Sequence, residues 1–240
     1  ILTDPVFSNR ASPLSFAGPK RLIPPAMNID DLPNIAIVTI SHNHYDHLDI
    51  RSLKKISKKF PNVLFFVPKG DKNLLKRAGI KNVFDFIWWD EKRVGNTVFT
   101  FTPVQHWSAR GLFDRSESLW GGWFMKNKNI SLFHAGDTGY SDDFKEIYKK
   151  LGSPDLAMIP IGAYSPRWFM KFSHVNPKEA VQIALDMRAK KSIGMHWGTF
   201  ILTDEPVKEP PILLKKELVE LNLSSNFFQV VKPGEVLSLN

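Results

Sequence analysis

IAIVTISHNHYDHLD, residues 35–49, runs from an apolar, β-branched stretch straight into a nonapeptide that holds three of the chain's seven histidines and two aspartates. The first six residues read as a buried strand. The nonapeptide is neither core nor ordinary loop: a packed core has no use for four ligand-type side chains in six positions, and a solvated loop would not select imidazoles. If the chain leaves the strand nearly extended, alternation puts His42 and His44 on one side, while Asp46 and His47 come next in the turn and face a second point. Such a loop can hold two cations side by side. The chain has no cysteine, and imidazole and carboxylate are the ligands zinc accepts where thiolate is absent.

Loops at one end of a sheet converge, so the remaining ligands are expected at other strand ends. Three residues have that character: His106 after FTPVQ, Asp137 in HAGDTG after ISLFHA, and His196 after KSIGM. Strands are expected at residues 35–40, 63–67, 97–102, 130–135, 156–160, 192–196 and 227–231, most of them apolar on both faces, as in sheets covered on each side. Helices are expected at 49–59, 71–78, 141–151 and 177–189, with a weaker one at 212–220. Asn176, Pro177 and Glu179 together form an N-cap, a first-turn proline and a capping-box acid, while Gly79 and Gly152 stand where C-terminal glycines belong. Strands interleaved with helices give an α/β fold.

The 240 residues are enough for a sizeable core and read as one domain, with no internal repeat, linker or low-complexity tract. Lys plus Arg number 32 against 24 Asp plus Glu, a net charge of +8 that favours phosphate-bearing partners without choosing between lipid and nucleic acid. IAIVTI, VLFFV and FIWW fall far short of the ~20 apolar residues that span a bilayer. The chain opens at Ile1, and ILTDPVF reads as the end of a strand running into a turn, so further sequence is expected upstream.

HxHxDH, then a histidine, a GD and a late histidine resemble the metallo-β-lactamase superfamily. DPVFSNRASP, GPKR, SHNHYDHLD, QHW, AGDTGY, IPIGAYSPRWFM and HWGTF, in that order over nearly the whole chain, resemble the N-acylphosphatidylethanolamine-hydrolysing phospholipase D family. The resemblance implies an αβ/βα sandwich of the metallo-β-lactamase type, two sheets flanked by helices, with further strands upstream. It implies two zinc ions per chain: His42, His44 and His106 on one, Asp46, His47 and His196 on the other, and Asp137 bridging both. The implied reaction is hydrolysis of N-acylphosphatidylethanolamine to N-acylethanolamine and phosphatidic acid by a metal-bridging hydroxide. In QHWSAR the position where a lysine would follow is Ala109, so no regulation by bound amphiphiles is carried over.

Around these ligands, Tyr45 is expected to contact the substrate phosphate, although packing beneath the loop would equally explain it. His174, ahead of a capped helix, is expected to protonate the leaving alkoxide or hold the phosphate without binding metal. Asp4, at the turn that Pro5 forces, is placed to accept the second N–H of a ligand histidine, with a simple Asx-turn as the alternative. Gly136 and Gly139 permit tight backbone beside Asp137. Trp88, Trp89 and Trp107 read as core. In SPRWFMKF, Arg167, Trp168, Phe169, Met170, Lys171 and Phe172 combine aromatics with two cations and lack helical or strand periodicity. They read as a membrane-contacting loop, against the plainer alternative of a core loop.

The expected partners are a phospholipid and a membrane surface, with the protein peripheral to the membrane or cytoplasmic, a homodimer open, and no nucleic acid. A metal-dependent nuclease is the nearest competing function, but the basic residues are scattered and do not interleave with aromatics along a track. A soluble lactone or sugar-phosphate hydrolase of the same superfamily is a third reading. A non-enzymatic membrane-binding module is a fourth, disfavoured because a full ligand set serves no structural need.

Overall fold

The computed structural model describes residues 1–239, and its contacts divide the chain into two compact units, 1–87 with 107–120, and 88–106 with 121–240. The first is built on a four-stranded sheet, β1 (Leu2–Thr3), β2 (Ile37–Thr39), β3 (Leu64–Pro68) and β4 (Val83–Phe86), in that order and all parallel. Helices α1 (Ile50–Lys59) and α2 (Lys72–Arg77) make the crossovers that parallel neighbours require. Asp49 caps α1 by accepting the Arg51 N–H, and Leu53 and Ile56 on its inner face join Val38, Ile40, Phe65 and Val67 in one core cluster. Phe65 and Phe66 are adjacent on β3, so they point to opposite faces, and neither is exposed; burying each contributes on the order of 2–3 kcal/mol.

The second unit carries seven strands: β5 (Glu91–Val94), β6 (Thr97–Thr102), β7 (Gly122–Lys126), β8 (Ser131–His134), β9 (Leu156–Pro160), β10 (Lys191–Met195) and β11 (Phe228–Gln229). They lie in sequence order across the sheet, antiparallel from β5 to β8 and parallel from β8 to β11. Two antiparallel steps leave β6 running the same way as β8, so β6, β8, β9 and β10 all end on one edge. Helices α3 (Asp143–Leu151), α4 (Arg167–Met170), α5 (Pro177–Asp186) and α6 (Glu209–Glu220) occupy the connections and the C-terminal stretch. The capping box at α5 is complete, with the Asn176 side chain accepting the Glu179 N–H and the Glu179 carboxylate accepting the Asn176 N–H.

Each strand expected from sequence overlaps an observed one, but β4, β5 and β7 are additional. In β5, Glu-Lys-Arg alternates exposed and half-buried at the sheet edge, which hides the strand from a hydrophobic reading. At the head of β7 a Cβ on Gly122 would come within 2.8 Å of the Phe133 ring, so glycine here serves close packing. SPRWFM, expected to be irregular, contains the short helix α4, and α6 begins at Glu209, ahead of the expected Ile212. Trp88, Trp89 and Trp107 are not core. Trp88 is exposed, half-buried Trp89 lies under the Lys150 ammonium, and half-buried Trp107 packs edge-on against His44 with Arg115 over its face.

Candidate metal centre

In the first unit the relevant residues all follow the carboxyl ends of adjacent parallel strands, the edge where open α/β sheets gather their ligands. Asp4 comes directly after β1, in a left-handed backbone conformation (φ 42°), and Ser41 to His47 follow β2. Asp4 Oδ1 accepts the Ser41 N–H at 2.7 Å, and Oδ2 accepts the Ser41 hydroxyl at 2.6 Å and faces His47 Nδ1 at 2.7 Å. Ser41 Oγ also lies 2.9 Å from His42 Nδ1.

A carboxylate only accepts, so the Ser41 proton points to Asp4 and His42 Nδ1 must donate to Ser41 Oγ; His47 Nδ1 donates to Asp4 in the same way. Both imidazoles then carry their lone pair on Nε2, the form a metal needs. His42 Nε2 faces His44 Nδ1 at 2.9 Å, and His47 Nε2 lies 3.5 Å from the Asp46 carboxylate.

Tyr45 is half-buried. Its hydroxyl donates to the Arg110 carbonyl at 2.9 Å, and the Arg110 guanidinium lies 4.0 Å from the centre of its ring.

In the second unit, His106, Asp137 and His196 follow β6, β8 and β10, and a bridge between Gln105 and Gly139 draws the first two loops together. Gly139 donates its N–H to the Gln105 carbonyl at 2.7 Å, and a Cβ on Gly139 would meet the Phe172 carbonyl oxygen at 2.6 Å. Asp137 is buried. His196 Nε2 lies 3.2 Å from Asp137 Oδ2, and His106 Nε2 and His174 Nδ1 each lie 3.9 Å from it. His106 Nδ1 faces the Ser173 carbonyl at 2.9 Å, so it donates there and Nε2 holds the lone pair. His196 adopts φ 58°, and a Cβ on Gly162 would come within 2.2 Å of its carbonyl oxygen, so only glycine fits at that position.

His174 was expected apart from the metal ligands. The ligand atoms of His106, Asp137 and His174 all lie within 4.8 Å of one another, so distance alone does not separate His174 from a ligand. It is held by a donor that the sequence reading sent elsewhere. Arg167, expected to face lipid phosphates, pairs with both carboxylate oxygens of Glu179 at 2.8 and 2.9 Å and donates to the His174 carbonyl at 2.7 Å. With Nη2 on both Glu179 oxygens and Nη1 on the His174 carbonyl, the guanidinium fixes the His174 turn. Trp168, Phe169 and Phe172 are 77, 65 and 63% exposed, which excludes the core-loop alternative, while Met170 is half-buried.

The donor set fits divalent zinc. Buried nitrogen and oxygen ligands sit at strand ends, and His42, His47 and His106 are fixed by Ser41, Asp4 and the Ser173 carbonyl in the tautomer that carries its lone pair on Nε2. The sequence reading missed Ser41 and Ser173 as partners. Ser41 could have been suspected from its place directly before His42, whereas nothing local marks Ser173.

Residues 1–197 match the beta-lactamase superfamily domain. The chain is 44% identical over 248 aligned residues to N-acyl-phosphatidylethanolamine-hydrolyzing phospholipase D 1 of Caenorhabditis elegans, covering 98% of this chain and 69% of that protein. The chain belongs to the N-acylphosphatidylethanolamine-hydrolysing phospholipase D family. A second member of this phospholipase D family, the mitochondrial enzyme of Saccharomyces cerevisiae, is 41% identical across 88% of the chain, and the match spans only 46% of the yeast protein. Among solved structures, isothiocyanate hydrolase from Delia radicum gut bacteria superposes with a TM-score of 0.76 at 15% identity, covering 98% of this chain and 91% of that one. A possible metal-dependent hydrolase of Veillonella parvula gives 0.75 at 19% identity over 97% and 90%. These likenesses establish the metallo-β-lactamase fold expected from the sequence.

Proposed function

We propose that the chain is a zinc-dependent phosphodiesterase of the phospholipase D type, hydrolysing N-acylphosphatidylethanolamine to N-acylethanolamine and phosphatidic acid. The observation that carries the substrate is the 44% identity to the nematode protein of that name, of whose length the chain spans 69%. The fixed imidazole tautomers and the buried Asp137 support the metal dependence.

In this proposal His42, His44 and His106 hold one zinc, Asp46, His47 and His196 the other, and Asp137 both, as the family pattern implies. Two such ions, when bound, lower the pKa of a water to about 7 and offset charge building on the phosphoryl oxygens. Asp4 keeps His47 and, through Ser41, His42 in the ligating tautomer, and the Ser173 carbonyl does the same for His106. The bond that breaks joins phosphorus to the ethanolamine oxygen, while a water oxygen becomes bonded to phosphorus. His174 Nδ1, beside Asp137, passes a proton to the departing oxygen. In this proposal Tyr45 contacts the phosphate by turning its single hydroxyl proton away from the Arg110 carbonyl that it now meets at 2.9 Å.

No helix among the described residues is long and apolar enough to cross a membrane. We place the bilayer contact at Trp168, Phe169 and Phe172, with Lys171 supplying a cation. Aromatics at the headgroup boundary and a lysine worth roughly 1 kcal/mol near an anionic surface are the ingredients of a peripheral anchor.

Parallel assays on an N-acyl phospholipid, a structured RNA and a model lactone, each with and without chelator, test the reading. Chelator-sensitive turnover of the lipid alone is expected, together with about two zinc ions per chain by metal analysis. Turnover of RNA or lactone in its place, or activity that survives with less than one ion per chain, would overturn it.

A further inference from the structure

Between His42 and His44 stands Asn43, a residue no ligand pattern needs, and it is almost fully buried. Its side-chain amide donates at 3.0 Å to Oδ1 of Asp71, and its backbone carbonyl accepts from the Arg110 guanidinium at 2.7 Å. The same guanidinium donates to the Leu48 carbonyl at 2.8 Å, so it ties the start of the histidine loop to its end.

Asp71 follows β3, the parallel neighbour of β2, and is 1% exposed. Oδ1 also accepts the Ser118 hydroxyl at 3.0 Å. That contact is enforced by packing: a Cβ on Gly70 would fall 2.5 Å from Ser118 Oγ, and Leu119 donates its N–H to the Lys69 carbonyl at 2.8 Å. The other oxygen, Oδ2, meets no donor among the described residues. Burial pushes the Asp71 carboxyl up to about 6; Asn43, Ser118 and the nearby Arg110 charge pull it down, and Asp114 adds a smaller upward push.

Asp71 holds the side chain of Asn43, and the residues on either side of it bring His42 Nε2 and His44 Nδ1 to 2.9 Å from each other.

We propose that Asp71 is a positioning residue for metal binding, holding the Asn43 amide through its Oδ1 so that His42 and His44 present their nitrogens to one ion. The role rests on the zinc reading above and requires an acceptor oxygen at position 71, not a charge. Asparagine offers the same acceptor and alanine offers none.

The test measures zinc affinity of the full chain by chelator competition, with circular dichroism and melting of the metal-free protein as the check on folding. Asp71→Ala is expected to weaken zinc binding about tenfold, the lower end of what loss of an outer-shell partner costs, with Asp71→Asn within about threefold of the parent. Asn43→Ala should weaken it to the same extent as Asp71→Ala, and the double variant should be no worse than either alone, because both remove one interaction. A folded Asp71→Ala protein that binds zinc as tightly as the parent overturns the proposal, and so do additive losses in the double variant. If Asp71→Ala does not fold, Asn43→Ala decides: unchanged affinity in that folded variant overturns the proposal, and a tenfold loss supports it. A parent protein that binds no zinc refutes the proposed function and this inference together, whereas tight parental binding with unaffected variants refutes this inference alone.

Discussion

The buried Asp71 carboxyl makes a quantitative prediction about stability and pH. Its pKa rises from 3.8 to about 6 on folding, because desolvation outweighs the hydrogen bonds from Asn43 and Ser118 and the attraction of Arg110. The folded chain therefore holds this proton more tightly than the unfolded chain. The neutral carboxyl stabilises fully below pH 4; between pH 4 and 6 that contribution is lost, and above pH 6 the loss is complete. A shift of roughly two units at ~1.4 kcal/mol each amounts to about 3 kcal/mol. Asp71→Asn keeps the Oδ1 acceptor and removes the titration, so its stability relative to the parent should rise by about 3 kcal/mol from pH 4 to pH 7. Urea unfolding of both metal-free proteins at intervals across this range measures it, with the difference between them cancelling every other titrating group. A difference that stays flat, or that moves against Asp71→Asn as pH rises, would show that Asp71 is not held protonated by its surroundings.

Three further outcomes are expected from the geometry. Asp4→Ala removes the acceptor of His47 Nδ1 and of the Ser41 hydroxyl, and should weaken zinc binding 10–100-fold in chelator competition; undiminished affinity would mean that the ligands orient themselves. His174→Gln should lower turnover at least 100-fold, the usual contribution of a general acid, with bound zinc unchanged. Zinc falling in step with activity would make His174 a ligand, as its nearness to Asp137 and His106 allows. Trp168→Ser combined with Phe169→Ser should reduce vesicle binding and bilayer turnover by more than tenfold, while sparing a short-chain soluble analogue and the melting temperature. Equal loss on both substrates would place these aromatics in substrate binding and not at the membrane.

Chain-local signals made much of this protein readable in advance. The apolar run into HNHYDH, the histidine after FTPVQ, the glycines around Asp137 and the histidine after KSIGM placed seven ligand candidates at strand ends, because a strand delivers the residues after it to one edge whatever its neighbours are. The α5 capping box was equally legible, since Asn176, Pro177 and Glu179 interact within a single turn.

Partnerships between distant residues were decided by the tertiary structure. Asp4 reaches Ser41 and His47 only because β1 lies beside β2, and Asp71 reaches Asn43 only because β3 lies on the other side of β2; no periodicity records strand order. Arg167 looked like a lipid-facing cation among aromatics until folding set Glu179 against it, and Ser173 emerged as a partner of His106 only once folding had brought its carbonyl there. Sequence declares which side chains can bind a metal, because that is fixed by their atoms. Which proton each imidazole carries, and which carboxyl is desolvated, depends on neighbours dozens of residues away.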